Sequence, residues 1–267
     1  MNFRRIKSLI ALLEDENQKI ASSALSELLK YGKEAGFLIK RFQESPNVLL
    51  RKRIHQIQAV ARVRELREML SRRLNNVHSG LWNGLLEIHM LWFDRDIKEN
   101  INELFWALLD EFKANCDFSA RAVSLFMKSR GFVIPIKGDI DAEFYCIGPV
   151  LESKIGTEAV LSALVYKLLL ESGKKAKIVK VKQGFGVFCY DGYVIIPNDW
   201  ELIASTDGEH RECMPGEILK SIAFKLFLST VTSDSFRYSY TIGSCIGKTS
   251  TSDAIIKLSS ILKENTK

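Results

Sequence analysis

Residues 155–179, IGTEAVLSALVYKLLLESGKKAKIV, constrain the fold more than any other stretch of the chain. Between Thr157 and Gly173 almost every position is apolar, and a helix that is hydrophobic all round must lie inside a domain. Thr157 is placed to cap its start, its oxygen accepting from the free amides of the first turn, and Gly173 suits the left-handed residue that ends a helix. The segments AKIVKVK and GVFCYDGYVIIP that follow are rich in β-branched and aromatic residues and predict strands. Asp191-Gly192 is the strongest two-residue hairpin signal in the sequence.

The flanking regions predict helices. From Ser79 to Arg130, Leu81, Trp82, Leu85, Leu86, His89 and Met90 line one helical face, and Ile101, Leu104, Phe105, Leu108, Leu109 and Phe112 line another. FVIPIKGDIDAEFYCIGP, marked by Pro135, Gly138 and Pro149, reads as a loop with short extended pieces. GEILKSIAFKLFLSTV predicts a further helix, and RYSYTIGSCIGKTSTSDAIIKLSSIL a last strand, loop and helix. The first sixty residues hold a weak internal repeat, in which the polar breaks Asp15-Glu16-Asn17 and Ser45-Pro46-Asn47 lie 30 positions apart. Each break separates two amphipathic helices, with Leu9, Leu12, Leu13, Ile20, Ala24, Leu25, Leu28 and Leu29 at helical spacing around the first. This segment resembles HEAT-like repeats, and so few repeats cannot bury their apolar faces alone.

With 267 residues, 46% of them hydrophobic, the chain can bury at least one sizeable core. No apolar run approaches the roughly 20 residues of a membrane helix, and the N-terminal apolar stretch runs into acids without a cleavage site, so a cytoplasmic protein with no membrane contact is expected. Cys116, Cys146, Cys189, Cys213 and Cys245 are scattered and odd in number, which points to reduced, buried thiols rather than disulfides or a zinc site. Of the net charge of +6, all the excess lies in the first half: 22 Lys and Arg against 16 Asp and Glu up to residue 131, and 16 against 16 beyond it.

A buried helix followed by an antiparallel hairpin resembles the core of the transglutaminase and papain-like architecture. The order LFMKSRGF, FYCIGPVLESKIG, the helix ending in LLLESGKKAKIV, then KQGFGVFCYDGYVIIP is similar to the bacterial SirB-type transglutaminase-like family, with Glu152, Gly156 and Gly173 at matching positions. The resemblance implies an α+β fold: HEAT-like helical repeats over 1–78 packed on a transglutaminase-like domain over 79–267 with an antiparallel sheet. It also implies where a catalytic triad would stand. Active members use a cysteine at the first turn of the buried helix, where the helix N-terminus lowers the thiol pKa, with a histidine and an aspartate on the following strands. Here those positions are Glu158, Phe185 and Ile196. None can supply the chemistry, unless Asp199 replaces the aspartate from a shifted register. The implication is a pseudoenzyme with no cofactor, its former cleft around Glu158, Phe185 and Ile196.

Other signals are weaker. Cys189 lies near the old site, but no histidine occurs between His89 and His210, so a buried strand cysteine is expected rather than a nucleophile. GSCIGKTST resembles a phosphate loop, yet Gly243 and Gly247 are separated by three residues where the motif needs four; Lys248 and Thr249 would carry it. His78 and His89 lack a placed carboxylate or thiol partner, and Asp94, Asp96 and Glu99 lack the spacing of a calcium loop, so no metal site is expected. Trp82, Trp92 and Trp106 are expected as core anchors. The stretch from Lys40 to Arg73 is strongly basic, and Arg51, Lys52, Arg53, Arg64, Arg67, Arg72 and Arg73 could form a positive ridge. Aromatic residues for base stacking are missing there. The expected function is therefore a non-catalytic protein-interaction or scaffold module. The alternatives are a binder of anionic polymer, either nucleic acid or acidic protein, and a residual cysteine-type hydrolase or transferase.

Overall fold

The computed structural model describes residues 3–78, 80–136, 141–181, 184–205, 210–232 and 235–247. It is mixed: helices together with one five-stranded antiparallel sheet. The chain divides into two compact units, Met1–Leu66 and Arg67–Lys267.

The first unit is built of helical pairs. α1 (Phe3–Ala11) and α2 (Gln18–Lys30) flank the first polar break, and α3 (Lys33–Ile39) and the start of α4 (Val48–Leu74) flank the second. Local hydrogen bonding repeats with the sequence. Asp15 Oδ1 accepts from Asn17 N–H at 2.7 Å, and Asn17 Oδ1 then accepts from Lys19 N–H to cap α2. Thirty positions on, Ser45 Oγ accepts from Asn47 N–H at 3.3 Å, and Asn47 Oδ1 accepts from Leu49 and Leu50 to cap α4. These short polar side chains satisfy amides that a helix start leaves open. Ile6, Leu13, Ala24, Leu28, Leu38, Leu50 and Ile54 form the core of the unit, with Leu9, Leu25 and Leu29 packed against it. Leu12 and Ile20, expected on the same stripe, are instead exposed.

In the second unit α5 (Leu81–Trp92), α6 (Lys98–Asn115) and α7 (Ala120–Ser129) precede α8 (Ile147–Ser153) and α9 (Glu158–Glu171). The strands follow: β1 (Ala176–Val181), β2 (Gly184–Cys189), β3 (Tyr193–Ile196), β4 (Glu201–Ala204) and β5 (Arg211–Glu212), in spatial order β4-β3-β2-β1-β5, and then α10 (Pro215–Thr232) and α11 (Phe236–Ile246). α9 is the expected buried helix, with every residue from Ala159 to Val165 buried, and it packs on β1 and β2. Gly173 ends it at φ +72°, and Lys174 N–H closes back onto Leu169 O.

Several expectations need correction. The segment RYSYT is the start of α11, not a strand. Tyr238 stacks on Trp92 with ring centroids 4.0 Å apart, and Thr241 Oγ1 donates to Arg237 O four residues back. The hairpin loop between β2 and β3 has three residues, Tyr190-Asp191-Gly192, with Gly192 at φ +90°. Helix α8 begins at Ile147 inside the expected loop, where Pro149 falls in its first turn, whose amides have no partner within a helix. Leu104 and Trp106 lie on the outward side of α6 and are exposed, so Trp106 is no core anchor. Trp82 packs on Phe105 and donates from its indole to Asn102 Oδ1. Among the described residues, no helix is long and apolar enough to cross a membrane.

Candidate functional site

The candidate site starts at the N-terminus of α9. Glu158 occupies it, and its side chain reaches β2, where the carboxylate accepts from Phe185 N–H. One turn on, Ser162 Oγ donates to Phe185 O at 3.1 Å. The pair Glu158 and Ser162 thus holds both backbone polar groups of one β2 residue against the helix. Gly184 stands at φ +145°, and a Cβ there would overlap the Glu158 carboxylate. Burial pushes the Glu158 carboxyl above its ordinary value, against the opposing effects of the Phe185 amide and the Lys225 charge. The carboxylate is a clamp on the sheet backbone.

Thr157 is the residue before the helix, as expected, but its hydroxyl does not cap. Oγ1 is buried with no hydrogen-bond partner among the described residues, while the Thr157 amide donates to Phe144 O. The clamp from Glu158, and not a cap from Thr157, fixes this end of α9.

The three positions do not converge. Phe185 is buried on β2, and the register pairs Val187 with Ile195 and Phe188 with Val194. Because side chains alternate along a strand, Ile196 projects from the same face as Phe188, and Phe185 from the opposite one. Ile196 packs with Val179 and Val194, with Val181 and Phe188 alongside. Glu158 and Phe185 therefore meet, whereas Ile196 belongs to a small apolar cluster on the other side of the sheet. Asp199 does not take its place, since it lies exposed at φ 55° in the turn between β3 and β4.

All five cysteines are free and buried. Burial pushes the Cys189 thiol up to about 12, with Asp191 adding to the shift. His210 stacks on Phe188 at 5.4 Å, on the strand face opposite Cys189, so the two are not paired. His89 is buried, with Nε2 2.9 Å from Asp96 Oδ2 and Nδ1 accepting from Gly148 N–H at 3.4 Å. His78 is exposed outside any helix and shares no face with His89. Among the described residues no group of His, Cys, Asp and Glu is arranged to hold a metal ion. The segment that resembles a phosphate loop is also altered: Gly243 to Ile246 are helical in α11, and Lys248 and Thr249 lie outside the described residues.

Much of the basic ridge is engaged within the chain. Arg53 donates to Leu13 O and Asp15 O, both at 2.6 Å, tying the second helical pair to the break in the first. Arg51 donates to Ser45 O, and Arg72 to Glu68 O. The Arg67 guanidinium lies over the Tyr240 ring. Arg73 Nε contacts both carboxylate oxygens of buried Glu87, at 2.8 and 2.9 Å. Lys52 and Arg64 are exposed on α4. Sequence reasoning had no access to the roles of Arg53 and Arg73, because their acceptors lie on other elements.

Comparison of the chain with family models, with curated proteins and with solved structures finds no match in any of the three.

Proposed function

We propose that the protein is a non-catalytic transglutaminase-like protein whose role is to bind a protein partner, with HEAT-like repeats over 1–78 and the transglutaminase-like region over 79–267. The observation that carries this reading is the engagement of Glu158 by the Phe185 amide. A catalytic group has to meet the substrate, whereas this one is turned into the sheet and held there. The buried Cys189 thiol and its separation from His210 argue in the same direction, because a thiol without a neighbouring base or cation is poorly activated. The exposed basic side chains of α4, Lys52 and Arg64, supply a surface for an acidic partner. Arg51, Arg53 and Arg73 act inside the fold.

The test is capture from a native lysate by the intact chain and by a Lys52→Glu, Arg64→Glu variant, with nuclease treatment in parallel. A protein that survives nuclease and is lost with the variant is the expected result. Recovery of nucleic acid that falls steeply with salt would replace this reading with a binder of anionic polymer. Selective labelling of native Cys189 by iodoacetamide at neutral pH would restore a thiol enzyme.

A further inference from the structure

The sheet of the second unit has two ends of different character. At the β5 end the edge is short and charged: Lys177 pairs with Glu212 at 2.7 Å and Arg211 with Glu217 at 2.9 Å. Charges of this kind discourage pairing with another chain. At the other end β4 carries Glu201, Leu202, Ile203 and Ala204, three apolar residues in four, and Ile203 is 43% exposed. An outer strand presents a row of backbone amides and carbonyls to whatever lies beside it.

Helix α7 packs against β3 and β4. Its outward face bears Arg121, Leu125 and Lys128 at helical spacing, with Leu125 58% exposed. Among the described residues neither Arg121 nor Lys128 enters an ion pair. Among the described residues β4 has no strand on its outer side, and an apolar edge of this kind beside a helix with a basic face suits one kind of occupant.

We propose that β4 docks an extended acidic segment of a partner protein, added as a sixth strand. Main-chain hydrogen bonds to β4 supply attachment, apolar side chains on one face of the added strand meet Ile203, and acidic side chains on its other face meet Arg121 and Lys128 of α7. The charges decide against a second copy of this chain. Antiparallel pairing of β4 with β4 about a two-fold axis would place both α7 helices on one face of the joined sheet. Arg121 and Lys128 of one copy would then face those of the other, and like charges so placed are unfavourable. This inference rests on the protein-binding role proposed above and adds to it a second site, separate from Lys52 and Arg64.

The experiment is fluorescence anisotropy of the full chain with labelled synthetic peptides: an alternating glutamate and valine peptide, its lysine and valine counterpart, and two forms of the first N-methylated at every second residue in either phase. Only one phase directs its amides at β4. Binding of the acidic peptide, abolished by N-methylation in one phase and kept in the other, is the expected result. An Arg121→Glu, Lys128→Glu variant should weaken it by roughly tenfold or more, and Ile203→Lys should weaken it with an unchanged thermal melt. No binding of the acidic peptide, equal binding of the lysine peptide, or indifference to both methylation phases overturns the proposal. So does a sedimenting dimer that Ile203→Lys dissociates. If the peptide fails here while a partner is still captured through Lys52 and Arg64, β4 is excluded and the broader reading stands. Failure of both removes both.

Discussion

Two neighbouring residues at the start of α9 carry opposite energetic signs. Thr157 buries a hydroxyl without a partner among the described residues, and such burial is unfavourable. Thr157→Val keeps the branched shape, and chemical denaturation should show a gain of about 1–2 kcal/mol. Glu158 does the reverse. Glu158→Ala leaves the Phe185 amide without its acceptor and should lower stability by about 1–3 kcal/mol in the same measurement. Glu158→Gln, which retains an acceptor oxygen, should lose less. That position 158 is a carboxylate at the start of a helix is legible in the sequence. What the carboxylate does there is not, because its acceptor relationship is with a backbone amide on another element, and a main-chain group leaves no trace in residue identity.

At the scale of elements, two buried charged or titratable residues join helices of the second unit. His89 links α5 to α8, with Asp96 on its Nε2 and the Gly148 amide on its Nδ1; a Cβ at Gly148 would overlap the ring. Burial lowers the His89 pKa from its ordinary value of 6.5, against the Asp96 hydrogen bond and the charges of Asp96 and Glu152. The sign follows. Below 6.5 the unfolded chain takes up a proton that the native imidazole resists, so this contribution is neutral above that pH and becomes destabilising as pH falls. Thermal melts should decline from pH 6.5 downward, and His89→Gln should flatten that slope. Between α4 and α5, Arg73→Ala would strand Glu87, whose side chain is 1% exposed, and should cost about 3 kcal/mol by urea titration. Pairing Arg73→Met with Glu87→Leu should recover much of that loss. The helices themselves are legible from apolar periodicity. RYSYT misleads because its aromatic and β-branched residues favour strands, while the Tyr238–Trp92 stack and the Thr241 back-bond settle it as a helix.

For the whole molecule, scattered cysteines predict thiols inside the fold, and all five are buried. A thiol reagent should therefore modify the native protein slowly or not at all and titrate five groups once it is unfolded. Rapid reaction of one native thiol would contradict the packing. The sheet shows the limit of reading a chain end to end: β1, β2 and β3 announce themselves, but Glu201–Ala204 and Arg211–Glu212 are too short to carry a period. The N-terminal repeat was more fully legible, since the breaks at 15–17 and 45–47 share their pattern of donors and acceptors as well as their spacing. A junction that recurs with its hydrogen bonds intact lets one complete period be added or removed without a new kind of join. Duplication or loss of one complete period would rejoin the chain at an equivalent break, while a change of a few residues would cut through a cap. Deleting one complete 30-residue period should therefore leave a chain that melts cooperatively, whereas deleting a few residues across a break should lower its melting temperature.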